Sequence, residues 1–269
     1  MICVYIEHLR KKGNYPGTIK NKISQIKTFI QLSQCDTRSF DNIRVSRALD
    51  SVLKSKDIVP RAKDPVPLDT FKLIVNSFKI DNYGWNMRAI LLTIFFGALR
   101  QTEVVPPSVK KFNSQRFLTR GDFDFQKDTV VITLRWAKNI RSVYKDNKII
   151  LTKSKDKRFC PVTAIHKAFK SAPSKDSKAA AFLFPGTLTP IPASYVRGQW
   201  ALMLRKLGMD SKTFSLHSIR KLAASTAYHK GCSLSEIKMF GNWASDACKV
   251  YIKSNAKVKV NHVLKKAIM

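Results

Sequence analysis

The sequence predicts a mainly α-helical fold with a small antiparallel β-sheet, in the α+β class, split into a short helical part and a larger domain. Apolar residues in the first part of the chain recur with the period of about 3.6 residues that an amphipathic helix requires, and capping residues indicate helices in the last part. One central stretch alternates like a β-strand, and a proline-rich segment separates the two parts. A hydrophobic fraction of 44% over 269 residues allows a substantial core.

Residues 2–56 are predicted to form helices. After the turn Tyr15-Pro-Gly17, Thr18 is expected to cap the clearest of them. Its apolar stripe consists of Ile19, Ile23, Ile26, Phe29 and Ile30. Three lysines, Lys20, Lys22 and Lys27, lie off that stripe, where they face either solvent or the phosphates of a nucleic acid.

A linker and a long buried helix are expected next. Three prolines within residues 60–67 exclude helix and favour an extended segment. We therefore divide the chain into a helical domain at 1–58, a linker at 59–67 and a second domain at 68–269. The second domain begins with a helix at Leu68. Residues 85–99 are apolar nearly all round, which predicts a buried helix with Arg100 at its end.

The hydrophobic period changes in the middle of the second domain. Residues 130–136 alternate apolar and less apolar side chains, which predicts a half-buried strand, and residues 148–151 predict another. The turn Ala137-Lys-Asn139 lies between them, so Lys138 is expected at the tip of a small sheet. After Cys160-Pro-Val162 the chain returns to helix.

Capping residues divide the C-terminal part into short helices. One helix is predicted from near His217 to Gly231, which is a natural C-cap. The segment Ser233-Leu-Ser-Glu236 is a capping box for a second helix that ends near Gly241. Ser245 is expected to cap a third helix, which carries Tyr251.

The charge of the chain predicts a polyanionic partner. Lys and Arg number 49 against 18 Asp and Glu, which gives a formal net charge of +31 spread along the whole sequence. Such an excess favours nucleic acid, with an affinity that falls steeply as salt rises. The five cysteines have no metal-ligand or disulfide spacing, and no signal peptide, membrane span or Gly-rich phosphate loop is evident. We therefore predict an intracellular protein without a metal or nucleotide cofactor.

Several side chains suited to phosphodiester chemistry follow one another along the second domain: Arg100, His217, Arg220, Trp243 and Tyr251. Arginine grips phosphate oxygens bidentately, histidine and tryptophan supply further N–H donors, and a tyrosine hydroxyl can attack phosphorus. Glu103 lies one helical turn after Arg100 and is expected to orient it, although a purely structural Arg–Glu pair gives the same spacing. No single residue is diagnostic, but the ordered set points to metal-free DNA cleavage and rejoining.

The ordered set resembles the tyrosine recombinases, also called the phage integrase family. Residues 97–103, Gly-Ala-Leu-Arg-Gln-Thr-Glu, are similar to the first arginine box of that family, and residues 217–252 are similar to its second box. The segment 241–252, Gly-Asn-Trp-Ala-Ser-Asp-Ala-Cys-Lys-Val-Tyr-Ile, more narrowly resembles recombinases of Crypton and DIRS-like eukaryotic mobile elements. The resemblance covers about residues 66–255. It implies the tyrosine recombinase catalytic fold, preceded by a short helical DNA clamp.

The resemblance also implies a role for each matching residue. Arg100 and Arg220 would hold the scissile phosphate and stabilise the transition state, with His217 as acid, base and phosphate donor. Tyr251 would attack phosphorus to give a 3′-phosphotyrosyl link and a free 5′ hydroxyl.

Two positions are less well determined by the resemblance. Lys138 would protonate the departing 5′ oxygen, and Lys145 and Lys148 are rivals for that role. The family has Gly-His where this chain has Gly241-Asn-Trp243, so either Asn242 or Trp243 fills the histidine position. We choose Trp243, because the narrower group has Gly-x-Trp there.

The expected partner is double-stranded DNA, bound by a dimer or tetramer in the nucleus. Predicted DNA contacts outside the reaction centre are Lys20, Lys22, Lys27, Arg141 and Lys221. Two other functions fit the same residues: a domesticated DNA-binding protein that has lost catalysis, and a topoisomerase that uses the same chemistry. A covalent protein–DNA link excludes the first, and relaxation of plasmid without a cognate site favours the second.

Overall fold

The computed structural model describes residues 1–55, 65–135, 148–243 and 248–249. The chain divides into two compact units, Met1–Ala62 and Lys63–Met269. Helices of the described residues are α1 (Ile2–Lys11), α2 (Pro16–Leu32), α3 (Ile43–Lys54), α4 (Leu68–Ser77), α5 (Asn82–Phe96), α6 (Gln101–Val104), α7 (Pro161–Ser171), α8 (Ala193–Lys206), α9 (His217–His229) and α10 (Leu234–Phe240). The strands are β1 (Phe123–Phe125), β2 (Thr129–Thr133) and β3 (Lys148–Thr152). The predicted fold class, mainly α with a small antiparallel sheet, is confirmed.

The first unit packs α1, α2 and α3 around a small apolar core. Its buried side chains are Ile6, Leu9, Ile19, Ile23, Val45 and Val52. Helix α2 begins at Pro16 rather than at a Thr18 cap, because proline lacks the N–H that a first-turn residue would leave unbonded. The prediction for Thr18 is therefore wrong. Phe29 is exposed as well, so only the first half of the predicted stripe enters this core.

The core of the second unit forms around α5, which packs against α7 and α9. Ile90, Leu91 and Leu92 are consecutive and fully buried, as expected for a helix that is covered on every side. At its N-terminus the Asp81 side chain accepts a hydrogen bond from the Gly84 N–H, at 2.8 Å. The buried helix predicted at residues 85–99 is thus present but ends at Phe96.

A three-stranded antiparallel sheet in the order β1-β2-β3 lies beside these helices. Val130 and Ile132 point into the core, and in the register Val130 faces Leu151 on β3. The alternation predicted for the central strand is confirmed. Strand β1 was not predicted, since three residues are too few for a periodic signal.

The turn between α5 and α6 sets the direction of Arg100. Ala98 has a left-handed backbone with φ of 44°, a conformation that costs a residue with a β-carbon about 1 kcal/mol. The chain then restarts as α6, with Arg100 as its N-cap residue. Arg100 therefore begins a new helix instead of ending the buried one, which corrects the sequence prediction.

The last described elements are the helices α9 and α10. Helix α9 begins at His217, and Gly231, with φ of 93°, follows its end. Ser233 and Glu236 form the predicted capping box, in which the Glu236 carboxylate accepts the Ser233 N–H at 2.7 Å. None of the described helices is long and apolar enough to cross a membrane.

Candidate functional site

One buried carboxylate holds two arginines that lie far apart in the sequence. Glu103 accepts the backbone N–H of Arg100 at 2.6 Å and its Nη1 at 2.8 Å. The Nη1 of Arg220 lies 3.6 Å from the Oε2 of the same carboxylate. The side chain of Glu103 is only 4% exposed. Glu103 therefore fixes α6 and α9 to each other and brings both predicted phosphate-binding arginines to one place.

The guanidinium of Arg220 is held from several directions. It is 2% exposed. Its Nη1 donates to the carbonyl of Ala98, its Nη2 donates to the carbonyl of Gly241 at 2.6 Å, and its Cζ lies 4.4 Å from the centre of the Trp243 ring. Two carbonyls and an aromatic face therefore fix the orientation of the guanidinium.

Backbone conformation presents both of those carbonyls. The first comes from Ala98, whose own φ is left-handed, and the second from Gly241, which precedes Asn242 with φ of 50°. Asparagine tolerates this region better than most residues, whereas alanine is strained there. Such strain persists only where the surrounding contacts enforce it, and here those contacts converge on Arg220.

Arg100 and His217 share a small cavity of about 250 Å³, which we call the Arg100 pocket. Its walls come from α6, α8, α9 and the residues just before α9, and no acidic side chain among the described residues lines it. Arg197, an exposed residue of α8, lines the same pocket and makes no hydrogen bond or ion pair with any described residue. The chemistry of three nitrogen-bearing side chains around one cavity suits an anion such as phosphate.

A second cavity of about 560 Å³ lies beside Arg220, and we call it the Arg220 cleft. Glu103, Arg220, Asn242 and Lys148 all contribute to its walls. Lys148, the first residue of β3, is therefore the described lysine that shares a cavity with Arg220. His217 lines the Arg100 pocket and not this cleft, although it lies only one turn before Arg220.

The remaining predicted site residues have varied positions. Lys138, Arg141 and Tyr251 lie outside the described residues. Lys221 is half-buried on α9, directly after Arg220. No group of three or more His, Cys, Asp or Glu side chains that could hold a metal ion occurs among the residues that the structure describes.

The predicted DNA-contacting lysines of α2 differ in their surroundings. Lys20 is exposed. The Nζ of Lys22 donates to the Asn14 side chain at 3.0 Å, and Lys27 forms an ion pair with Asp41. A phosphate would compete with these contacts at Lys22 and Lys27, but not with any described contact of Lys20.

Sequence reasoning missed Arg197. The residue belongs to no recognised motif and is one of 49 Lys and Arg residues in the chain. Only its place on α8, against the beginning of α9, brings it to the Arg100 pocket. A solvent-facing arginine on a helix gives no local signal that would distinguish it from a charge that serves solubility.

Comparison with solved structures assigns the fold. It is that of tyrosine recombinase catalytic domains, mostly helical with a small antiparallel sheet. The Tn1549 transposon integrase in complex with transposon right-end DNA matches with a TM-score of 0.63 at 16% identity, over 98% of this chain and 84% of the integrase. XerA recombinase matches with a TM-score of 0.52 at 13% identity, over 97% of both chains.

A third neighbour is XerH site-specific recombinase bound to a palindromic difH substrate, with a TM-score of 0.53 and 12% identity. That match covers 75% of this chain, which spans only 52% of XerH. No protein-family model and no curated protein matches the sequence. At these identities the comparisons establish the fold alone.

Proposed function

We propose that this protein cleaves and rejoins DNA strands through a covalent 3′-phosphotyrosyl intermediate, as a site-specific recombinase or transposase. The observation that carries the proposal is that Arg100 and Arg220 both interact with the same buried carboxylate, that of Glu103. Two fixed guanidinium groups beside an anion-binding cavity suit a phosphodiester that gains negative charge in its transition state. The fold, which DNA-bound recombinases and integrases share, supports the same conclusion.

In the proposed mechanism the scissile phosphate binds in the Arg100 pocket and is also contacted by Arg220. Arg100, whose side chain is 27% exposed, grips a non-bridging oxygen directly. Arg220 lines the Arg220 cleft and contributes its positive charge to the phosphate from there. His217 donates to the phosphate from the first position of α9, where the helix N-terminus adds partial positive charge.

Cleavage exchanges one phosphoester bond for another. The hydroxyl oxygen of Tyr251 attacks phosphorus, the bond from phosphorus to the 5′ oxygen breaks, and His217 accepts the phenol proton. A protonated lysine donates its own proton to the leaving 5′ oxygen, and we assign that role to Lys138, with Lys148 in the Arg220 cleft as the alternative. Rejoining reverses these steps, and because bond energy is conserved no external energy source is required.

A covalent-trapping assay tests the reaction. Purified protein and Tyr251→Phe are incubated with nicked DNA from the ends of the element that encodes the protein, and the products are separated on a denaturing gel. We expect wild type to give a shifted, protease-sensitive band and the variant to give none. Tyr83→Phe, which alters an exposed tyrosine of α5, should retain the band. Tight DNA binding by wild type without any covalent band would overturn the catalytic proposal and favour a catalytically silent DNA-binding protein.

Supercoiled plasmid without a cognate site distinguishes recombination from topoisomerase activity. A recombinase that depends on its site should leave such plasmid supercoiled while forming covalent complexes on cognate ends. Relaxation of both substrates at similar rates would instead assign a topoisomerase function.

Arg197→Ala is expected to slow single-turnover cleavage by about tenfold, the loss that corresponds to one hydrogen bond to a charged group. The reason is that Arg197 lines the Arg100 pocket, where the phosphate is proposed to bind. Arg205→Ala is the matched control, because Arg205 is an exposed arginine of the same helix that does not line the pocket. Equal rates for the two variants would exclude Arg197 from phosphate binding.

The biological setting is also proposed from the residues. The resemblance of residues 241–252 to recombinases of Crypton and DIRS-like elements supports a role in a eukaryotic mobile element, and hence action in the nucleus. Strand exchange between two sites requires several coordinated cleavages, so we propose a dimer or tetramer on paired sites. A strict monomer in gel filtration on DNA under all conditions would exclude that assembly.

A further inference from the structure

A second basic cavity lies in the segment between α6 and β1. It has a volume of about 700 Å³, and we call it the Lys110 groove. The residues that line it include Lys110, Lys111, Phe112, Asn113 and Arg116. No acidic residue of the described chain lines it, and Lys110 and Lys111 are exposed and form no ion pair with any described residue.

The backbone that carries these cations is anchored to the body of the second unit. The carbonyl of Pro106 accepts the N–H of Ala193, the first residue of α8, at 2.7 Å. Phe112 packs against a buried cluster that contains Leu183, and Phe117 is itself buried. The groove is therefore preformed, and a ligand would not have to order the chain in order to bind.

The basic side chains are held as a concentrated positive surface. Lys110 and Lys111 are neighbours in a single turn of 3₁₀-helix, Val109–Lys111. The guanidinium of Arg116 lies 5.6 Å from the centre of the Phe117 ring, so an aromatic face helps to orient it. Like charges this close repel one another, and binding of a polyanion relieves that repulsion.

The Lys110 groove and the Arg100 pocket have one lining residue in common. Thr102, an exposed residue of α6, lines both cavities. It lies two positions after Arg100, and none of the described residues that line either cavity is acidic. The Arg220 cleft differs, because Glu103 and Glu236 line it.

We propose that the Lys110 groove binds backbone phosphates of the same DNA duplex whose scissile phosphate occupies the Arg100 pocket. The inference rests on the proposed function and extends it with a second anchoring surface. A duplex carries about one negative charge per 1.7 Å of its axis, so a duplex seated in the pocket brings further phosphates to an adjoining basic groove. Contacts to phosphates fix the register of a protein on DNA without reading its sequence, and the groove thereby positions the scissile phosphate.

The salt dependence of DNA binding tests the groove. The dissociation constant for a cognate duplex is measured over a range of salt concentrations for wild type and for the triple variant Lys110→Ala, Lys111→Ala, Arg116→Ala. Each lost phosphate contact should reduce the slope of log K against log salt by about 0.9, so we expect a reduction of about two to three. The control triple variant, Lys127→Ala, Lys175→Ala, Arg205→Ala, removes the same charge from exposed positions outside the groove. Equal slopes for the two triple variants would overturn the proposal.

Uncharged methylphosphonates placed singly along the duplex test whether groove and pocket hold the same molecule. At the phosphates that contact the groove, we expect each methylphosphonate to weaken DNA binding by wild type. The same methylphosphonates should not weaken DNA binding by the triple variant Lys110→Ala, Lys111→Ala, Arg116→Ala. A penalty of equal size in both proteins at every position would overturn the assignment to the same duplex. Covalent trapping on the same preparations separates the two proposals: its absence in wild type refutes the cleavage mechanism, whereas the salt slopes and methylphosphonate penalties alone decide the groove.

Discussion

Replacement of Glu103 by glutamine is expected to destabilise the second unit by about 3 kcal/mol, near the lower end of the cost of breaking a buried ion pair. The glutamine has the same shape but no charge, and its amide nitrogen can only donate. In the glutamine variant an NH₂ group would replace one of the two carboxylate oxygens that now face the Nη1 atoms of Arg100 and Arg220, so that two hydrogen-bond donors would face each other.

Most of this loss arises at Arg220. That residue is 2% exposed, so its charge stays buried when the carboxylate is neutralised. The side chain of Arg100 is 27% exposed, and water replaces much of what it loses. If the glutamine side chain turns its amide nitrogen toward the Arg100 N–H, the N-cap hydrogen bond that Glu103 now accepts is also lost. That loss adds up to about 1 kcal/mol to the cost of the substitution.

Urea denaturation followed by tryptophan fluorescence measures the effect. All four tryptophans belong to the second unit, so the signal reports on that unit. Glu236→Gln is the matched control, because Glu236 also accepts an N-cap N–H, that of Ser233, but is exposed and pairs with no arginine in the described structure. We expect its cost to stay below about 1 kcal/mol. Equal costs for the two variants would show that Glu103 acts only as a helix cap.

The local part of the site could be predicted from the sequence. Arg100 and Glu103 are three residues apart, and that spacing alone predicts their contact on a helix. The capping box of Ser233 and Glu236 is predicted in the same way, from backbone rules that need no tertiary information. The helix α5 and the strand β2 were also predicted, since burial on all sides makes α5 apolar nearly all round and burial of one face makes β2 alternate.

The long-range part of the site could not be predicted. No pattern in the neighbouring sequence indicates that Glu103 also approaches Arg220, or that the ring of Trp243 lies against the guanidinium of Arg220. The left-handed backbone of Ala98 contradicts local preference, because only the tertiary contacts of its carbonyl stabilise it. The shared pocket of Arg100, His217 and Arg197 likewise depends on how three helices pack.

Gly241→Ala is expected to destabilise the second unit by about 2 kcal/mol and to displace Trp243 from Arg220. A β-carbon at position 241 would lie 1.8 Å from the Trp243 ring, far inside van der Waals contact. The backbone itself is no obstacle, since the φ of Gly241 is −96°, which alanine adopts without strain. The conflict therefore involves the indole ring, and moving the ring removes an aromatic face from a buried guanidinium.

A double-mutant cycle with Trp243→Leu isolates this steric cause, because leucine lacks the ring atoms that the new β-carbon would strike. In the leucine background we expect Gly241→Ala to cost less than about 0.5 kcal/mol, whereas in wild type it should cost about 2 kcal/mol. Gly198→Ala is the control for glycine substitution itself: a β-carbon at this position of α8 would meet no atom of the described residues within 4 Å, so helix propensity should make the change neutral or slightly stabilising. If Gly241→Ala cost the same in both backgrounds, backbone distortion would be the cause, and Trp243 would not be the group that requires glycine at the end of α10.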